Sequence, residues 1–405
     1  MSMEDRYVKE KLARDNFENQ FMDVFFLKDM AQSIIDDLVK WSNDEVYSRL
    51  GGKLECELAL SEAVNARASV DPADPYNPRI IIYMGMVREI YRDSLVFPIL
   101  ADRISAIPGH DESFKEVFGG APSYFEGGAP DIPDTLLTPL YKIYKSALEG
   151  KDQDARMTDK SIACRFLMFE VMLVWVFFHE LSHLAQRHYL FRNGKVTVEK
   201  LEEESYEISE TECAGDECVR FQAREVLADV EGSELTIRYL LRKNMFHFSS
   251  IYLLYCAQYC MFNRFYMGYE PNLDFVNKKH PHPVVRNELT SSFLTEHVIY
   301  CLVNMKGDVP VEKISMAVVY LSVKSSLISG IYWGNRYEVM SGELTPFMKL
   351  MMDKLKRDEY CSTLMRSVHE HLSVIKGHHL NRHNFTDFIG VLRFFSTDIE
   401  EGQQA

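Results

Sequence analysis

Apolar residues recur every three to four positions between Tyr7 and Trp41, at Phe21, Val24, Phe25, Met30, Ile34 and Leu38. That spacing predicts an amphipathic helix. Leu54–Val70 fits a strand or a helix equally well and is ended by the polar, proline-containing stretch Asp71–Pro78. Arg79–Tyr83 reads Arg-Ile-Ile-Ile-Tyr, a β-branched run that predicts a strand. After Gly85 the pattern turns helical to about Ser94. Pro108–Pro133, with two Gly-Gly-Ala-Pro sequences, predicts a long loop, and Thr135–Leu148 a helix. Ser161–Arg192 predicts a long helix stopped by Asn193-Gly194. Glu199–Glu217 is an acidic connector, and from Cys218 the chain is almost continuously helical, broken near Met267–Pro283.

Two apolar runs are about long enough to raise the question of a membrane. Ile162–Phe178 contains Arg165 and Glu170, and Ile314–Trp333 contains Lys324. Those charges favour buried core helices over lipid-exposed spans. Met1–Asn19 is charged and lacks the apolar segment of a signal peptide. The chain has 405 residues and a net charge of −15, which disfavours nucleic acid and anionic membranes as partners. Eight cysteines without a C-x-x-C pair fit a reducing, cytoplasmic compartment. Cys213/Cys218 and Cys256/Cys260 read as small buried side chains. The five histidines of His369–His383 show no ligand spacing.

The chemistry concentrates in His179-Glu180-Leu181-Ser182-His183. Residues four apart share a helix face, so both imidazoles can reach one Zn²⁺, with Glu180 placed to take a proton from a zinc-activated water. A catalytic zinc needs a third protein ligand and an open position. Glu225 and Asp229 share a face of a downstream helix, so the first could complete the ligand set and the second could orient a liganding imidazole. Glu212 and Asp216 have the same spacing but lie in the acidic connector. Lys279-His280-Pro281-His282-Pro283-Val284-Val285-Arg286 predicts a helix entrance with Arg286 just inside it. His280, or His282, could stabilise a developing oxyanion there.

Taken in order, His179–His183, Glu225–Asp229 and His280-Pro281 with Arg286 resemble the H-E-x-x-H, E-x-x-A-D and H-P…R motifs of zinc metallopeptidases of the HtpX and CAAX-prenyl-protease type. Val64-Asn65-Ala66-Arg67-Ala68 is similar to that family's Asn-Ala strand, the sheet edge along which substrate lies. The resemblance implies an α+β, mostly helical chain with a zincin-type core, a small β-sheet and additional helices. It implies one Zn²⁺ held by His179, His183 and Glu225, Asp229 beside a ligand, and Glu180 as general base. His280 and Arg286 would assist the charged intermediate, while Asn65 and Ala66 would contact a protein or peptide substrate. The organisation expected is a helical region over 1–50, a peptidase core over 51–290 with an insertion at about 95–160, and a helical region over 291–405. Members with transmembrane helices differ from this chain, for which none is expected. The alternatives are a catalytically inactive zincin-fold binding or regulatory protein, and a Lit-like protease that cleaves one specific intracellular partner. His188 is expected to be structural.

Overall fold

The computed structural model describes residues 24–71, 73–104, 159–192, 195–196, 201–202, 215–265, 279–336 and 354–380. The expected loop Pro108–Pro133 and helix Thr135–Leu148 lie outside them. The fold is mostly helical with one small mixed sheet.

Helix α1 (Val24–Ser42) buries Met30, Ile34 and Leu38 of the stripe that its periodicity predicts, together with Leu27, Ala31 and Ile35. The ambiguous stretch Leu54–Val70 resolves into two strands, β1 (Glu55–Ala59) and β2 (Ala66–Asp71). Strand β3 (Asp74–Tyr83) begins five residues before Arg79, inside the stretch expected to be irregular. Its register explains the difference. Asp71 pairs with Asp74 and Ser69 with Arg79, so residues 75–78 form a bulge. Pro75 and Pro78, which cannot donate to a ladder, fall inside it.

β3 is central, parallel to β1 and antiparallel to β2, and the two-residue β6 (Leu201–Glu202) adds to the outer side of β2 at Ser69 and Val70. One face buries Leu58, Ala66, Ala68, Val70, Ile80 and Ile82. Helix α2 (Met84–Ile104) leaves β3 directly and runs ten residues past Ser94, because the fully buried Phe97 carries its apolar face onward.

The axis of the fold is α3 (Asp159–Ala185). From Cys164 to Gln186 every residue is buried, so this helix is covered on all sides. Of its internal charges, Glu170 accepts the Tyr239 hydroxyl through Oε1 at 2.6 Å. No described helix is long and apolar enough to cross a membrane. The helix ends seven residues earlier than Arg192. Arg187 takes a left-handed φ of 55°, a 3₁₀ turn covers His188–Leu190, and a short hairpin of β4 (Phe191–Arg192) and β5 (Lys195–Val196) follows.

Around α3 pack β2, α1, α2, α4 (Asp216–Arg242) and α5 (Phe248–Phe265). Helix α6 (Pro283–Met305) has His282 as N-cap, its ring Nδ1 accepting from Val284 N at 3.2 Å, with proline in the first turn. Helices α7 (Val311–Arg336) and α8 (Lys354–His378) complete the described chain. The main hydrophobic cluster draws on α1, the sheet and α2 to α7. A second joins Val219, Ala223, Val226 and Val230 of α4 to Tyr360, Leu364, Val368 and Leu372 of α8. Cys218, buried at the start of α4, is disulfide-bonded, whereas Cys56, Cys164, Cys256, Cys260, Cys301 and Cys361 are in no disulfide. Reduced thiols therefore describe those six cysteines but not Cys218.

Candidate metal centre

Helices α3 and α4 cross at unusually short range. A Cβ on Gly232 would lie 3.0 Å from the backbone nitrogen of His179 and 3.1 Å from its Cα. Only glycine lets the two backbones meet there without one of them shifting. The approach brings Glu225, two turns earlier on α4, against the imidazoles of α3.

His179 Nε2 lies 3.2 Å from His183 Nε2 and 3.6 Å from Glu225 Oε2, while His183 Nε2 lies 3.5 Å from Glu225 Oε1. Around a tetrahedral ion with donors at about 2.0–2.1 Å, neighbouring donor atoms stand about 3.3–3.4 Å apart. The observed triangle has that size. The three residues form a group able to hold a metal ion, and no second such group occurs among the described residues. The imidazoles are buried and Glu225 keeps 13% of its side-chain exposure. Burial alone would raise the Glu225 carboxyl, but His280, His183 and His179 hold it well below its ordinary value. Burial likewise opposes a charge on His179, yet Asp229 and Glu225 raise it to about 10. The concentrated negative potential suits a cation.

The far side of each imidazole is also occupied. Asp229 Oδ1 lies 3.0 Å from His179 Nδ1, close enough to attract the ring although off the direction of its N–H. Arg286 grips Asp229 with two bonds, Nε to Oδ2 at 2.8 Å and Nη2 to Oδ1 at 2.6 Å, and its Nη2 is 3.6 Å from Glu225 Oε2. Phe262 lies under the guanidinium at 4.9 Å. His183 Nδ1 meets His188 Nδ1 at 2.8 Å. Trp175, one turn before His179, stacks on its ring at 5.3 Å and bonds through Nε1 to Ser233 Oγ at 3.2 Å.

The structure thus brings together His179, His183, Glu225, Asp229, Arg286 and His280, the last with its Nε2 3.9 Å from Glu225 Oε2 and 36% exposed. Glu180 is buried at 3% exposure, and burial first, then the charges of Asp36 and Glu180, push up the Cys56 thiol of β1. Ala66 opens β2 and Asn65 precedes it. Ala66 pairs with Ile82, and Asn65 Oδ1 accepts from Ala66 N at 2.8 Å, leaving the buried Asn65 Nδ2 without a partner. β2 is bordered by β6 only at Ser69 and Val70 among the described residues.

Several supporting residues carried no signal in the sequence. His188, expected to be structural, touches a ligand candidate because the helix stops early. His379 Nε2 bonds Glu231 Oε1 at 2.8 Å, and Glu231 Oε2 accepts from Gln186 Nε2 at 2.6 Å, so the histidine-rich end of α8 ties down the last turn of α3. Tyr360 of α8 accepts from the backbone of His282 at 3.1 Å. Compared with known protein families, curated proteins and solved structures, the chain matches none of them.

Proposed function

We propose that this chain is a zinc-dependent endopeptidase with a zincin-type core, related to the HtpX and CAAX-prenyl-protease type through its three ordered motifs. The observation that carries the reading is the triangle of His179, His183 and Glu225 donors, sized for a tetrahedral ion, on helices that also carry Glu180 and Asp229. Two imidazoles and one carboxylate leave a fourth position for chemistry, whereas structural zinc sites use four protein ligands, usually including cysteine. A zinc ion bound there would supply Lewis acidity, polarising a scissile carbonyl and a water molecule.

The chain's own residues supply the rest. Glu180 takes the proton of the attacking water and passes it to the leaving amine. Asp229 aligns His179, and Arg286 balances the charge of Asp229 and Glu225 from a position 1% exposed, so it acts through them. His280, with 36% of its side chain exposed, is within reach of a substrate oxyanion. The part of β2 not bordered by β6, which begins at Ala66 next to Asn65, would receive an extended peptide.

The test is Glu180→Gln. The variant keeps its metal and loses cleavage of every intact protein or peptide that the wild type cuts, read as new N-termini after incubation with a protein mixture. Unchanged cleavage by Glu180→Gln refutes the mechanism. A metal-loaded wild type that cuts nothing supports the inactive binding-protein reading instead.

A further inference from the structure

We infer that His188 is a positioning residue for the metal centre, its Nδ1 accepting the Nδ1–H of His183 so that His183 presents Nε2 to the ion. The inference rests on the reading of His179, His183 and Glu225 as the metal ligands. Nε2 of His183 is the nitrogen that faces the other two candidates, 3.2 Å from His179 Nε2 and 3.5 Å from Glu225 Oε1. A neutral imidazole that ligates through Nε2 carries its proton on Nδ1. That proton meets His188 Nδ1 at 2.8 Å, between rings inclined at 74°.

The contact exists because the helix is broken. On a continuous helix a residue five positions on would stand about 140° round the axis from His183. The left-handed Arg187 ends α3, Leu190 N bonds back to Arg187 O at 2.9 Å, and His188 is folded against the preceding turn. A non-glycine residue in that conformation costs of order 1–3 kcal/mol, and such strain gathers at functional positions. Once there, His188 is completely buried, where an uncharged ring costs least. A neutral imidazole with its Nδ1 lone pair towards His183 has its proton on Nε2, an atom that is buried without a partner. The arrangement leaves a buried polar atom unsatisfied, a cost that a purely structural side chain would not need to carry.

The two ligand histidines are therefore supported differently. His179 is backed by the carboxylate of Asp229, itself neutralised by Arg286. His183 is backed by an uncharged ring, which fixes tautomer and orientation without adding charge to the site.

The experiment measures zinc affinity of the full chain by competition with a chromophoric chelator. His188→Leu fills the space but removes the acceptor, and His188→Asn places an amide oxygen near the Nδ1 position. Loss of such a partner weakens metal binding about 10–100-fold, so the leucine variant falls in that range and the asparagine variant returns to within about threefold of wild type. A folded leucine variant with wild-type affinity overturns the inference while leaving the metal site intact. Failure of the wild type to bind zinc overturns both. Should the leucine variant not fold, ¹⁵N NMR of the zinc-loaded wild type decides: a slowly exchanging Nδ1 proton on His183 supports the inference, and metal on Nδ1 overturns it.

Discussion

Removing the guanidinium of Arg286 is the perturbation whose energetic consequence is most constrained. Its side chain is 1% exposed and that of Asp229 is fully buried, joined by bonds of 2.8 and 2.6 Å. Arg286→Met keeps bulk over Phe262 but strands the Asp229 carboxylate, and Glu225 loses a cation 3.6 Å away. Breaking a buried pair from one side costs about 3–5 kcal/mol. Asp229→Asn keeps the shape and leaves Arg286 the Glu225 carboxylate, so its cost is nearer that of lost charged hydrogen bonds, about 1.5–3 kcal/mol. In the double variant neither charge is stranded by the other. Its destabilisation should fall short of the sum of the singles by about 2–3 kcal/mol, at the upper end of couplings between residues in contact. Urea unfolding at pH 7 in EDTA, followed by circular dichroism, measures all three without metal linkage. Additivity to within about 0.5 kcal/mol would refute the idea that the pair acts as one unit.

Gly232→Ala should cost about 1–3 kcal/mol, because the new methyl meets the His179 backbone rather than a flexible side chain. It should also weaken zinc binding by displacing α3 relative to Glu225, whereas Gly377→Ala on α8, with open space around the new Cβ, should do neither; equal effects would contradict the close-crossing argument. Burial raises the Glu170 carboxyl, only partly offset by the Tyr239 bond, and its Oε2 has no partner. A raised folded value favours the protonated form, so the charged residue penalises the fold at neutral pH, and the penalty fades as pH falls through that value. Glu170→Gln should therefore raise Tm at pH 7, with the gain vanishing below about pH 4; a lower Tm at pH 7 would show that the charge is compensated.

The parts of the site legible in the sequence are those set by spacing within one helix. His179 and His183, then Glu225 and Asp229, each lie four apart, and proline at the start of α6 announced the entrance that carries Arg286. The mostly helical α+β class is what the resemblance implied, and helical periodicity marked many of its helices. What could not be read depends on contacts between distant segments or on backbone states that composition does not reveal. Nothing about Arg187 marks it as left-handed, so the pattern reads as helix to Arg192 and His188 reads as structural. Gly232 reads as a weak helix residue until α3 is found against it. The bond between His379 and Glu231 joins residues 148 positions apart, and no local pattern reports it. β3 was shortened because prolines inside a bulge look like the end of a strand.

The most direct measurement is the zinc content of untagged, chelator-free protein by mass spectrometry, for the wild type and for His179→Ala and Glu225→Ala. The account predicts about one zinc per wild-type chain, none in His179→Ala, and loss on buffer exchange in Glu225→Ala. A wild-type chain that takes up no zinc even after reconstitution, or a Glu225→Ala variant that holds it as tightly, would contradict the account.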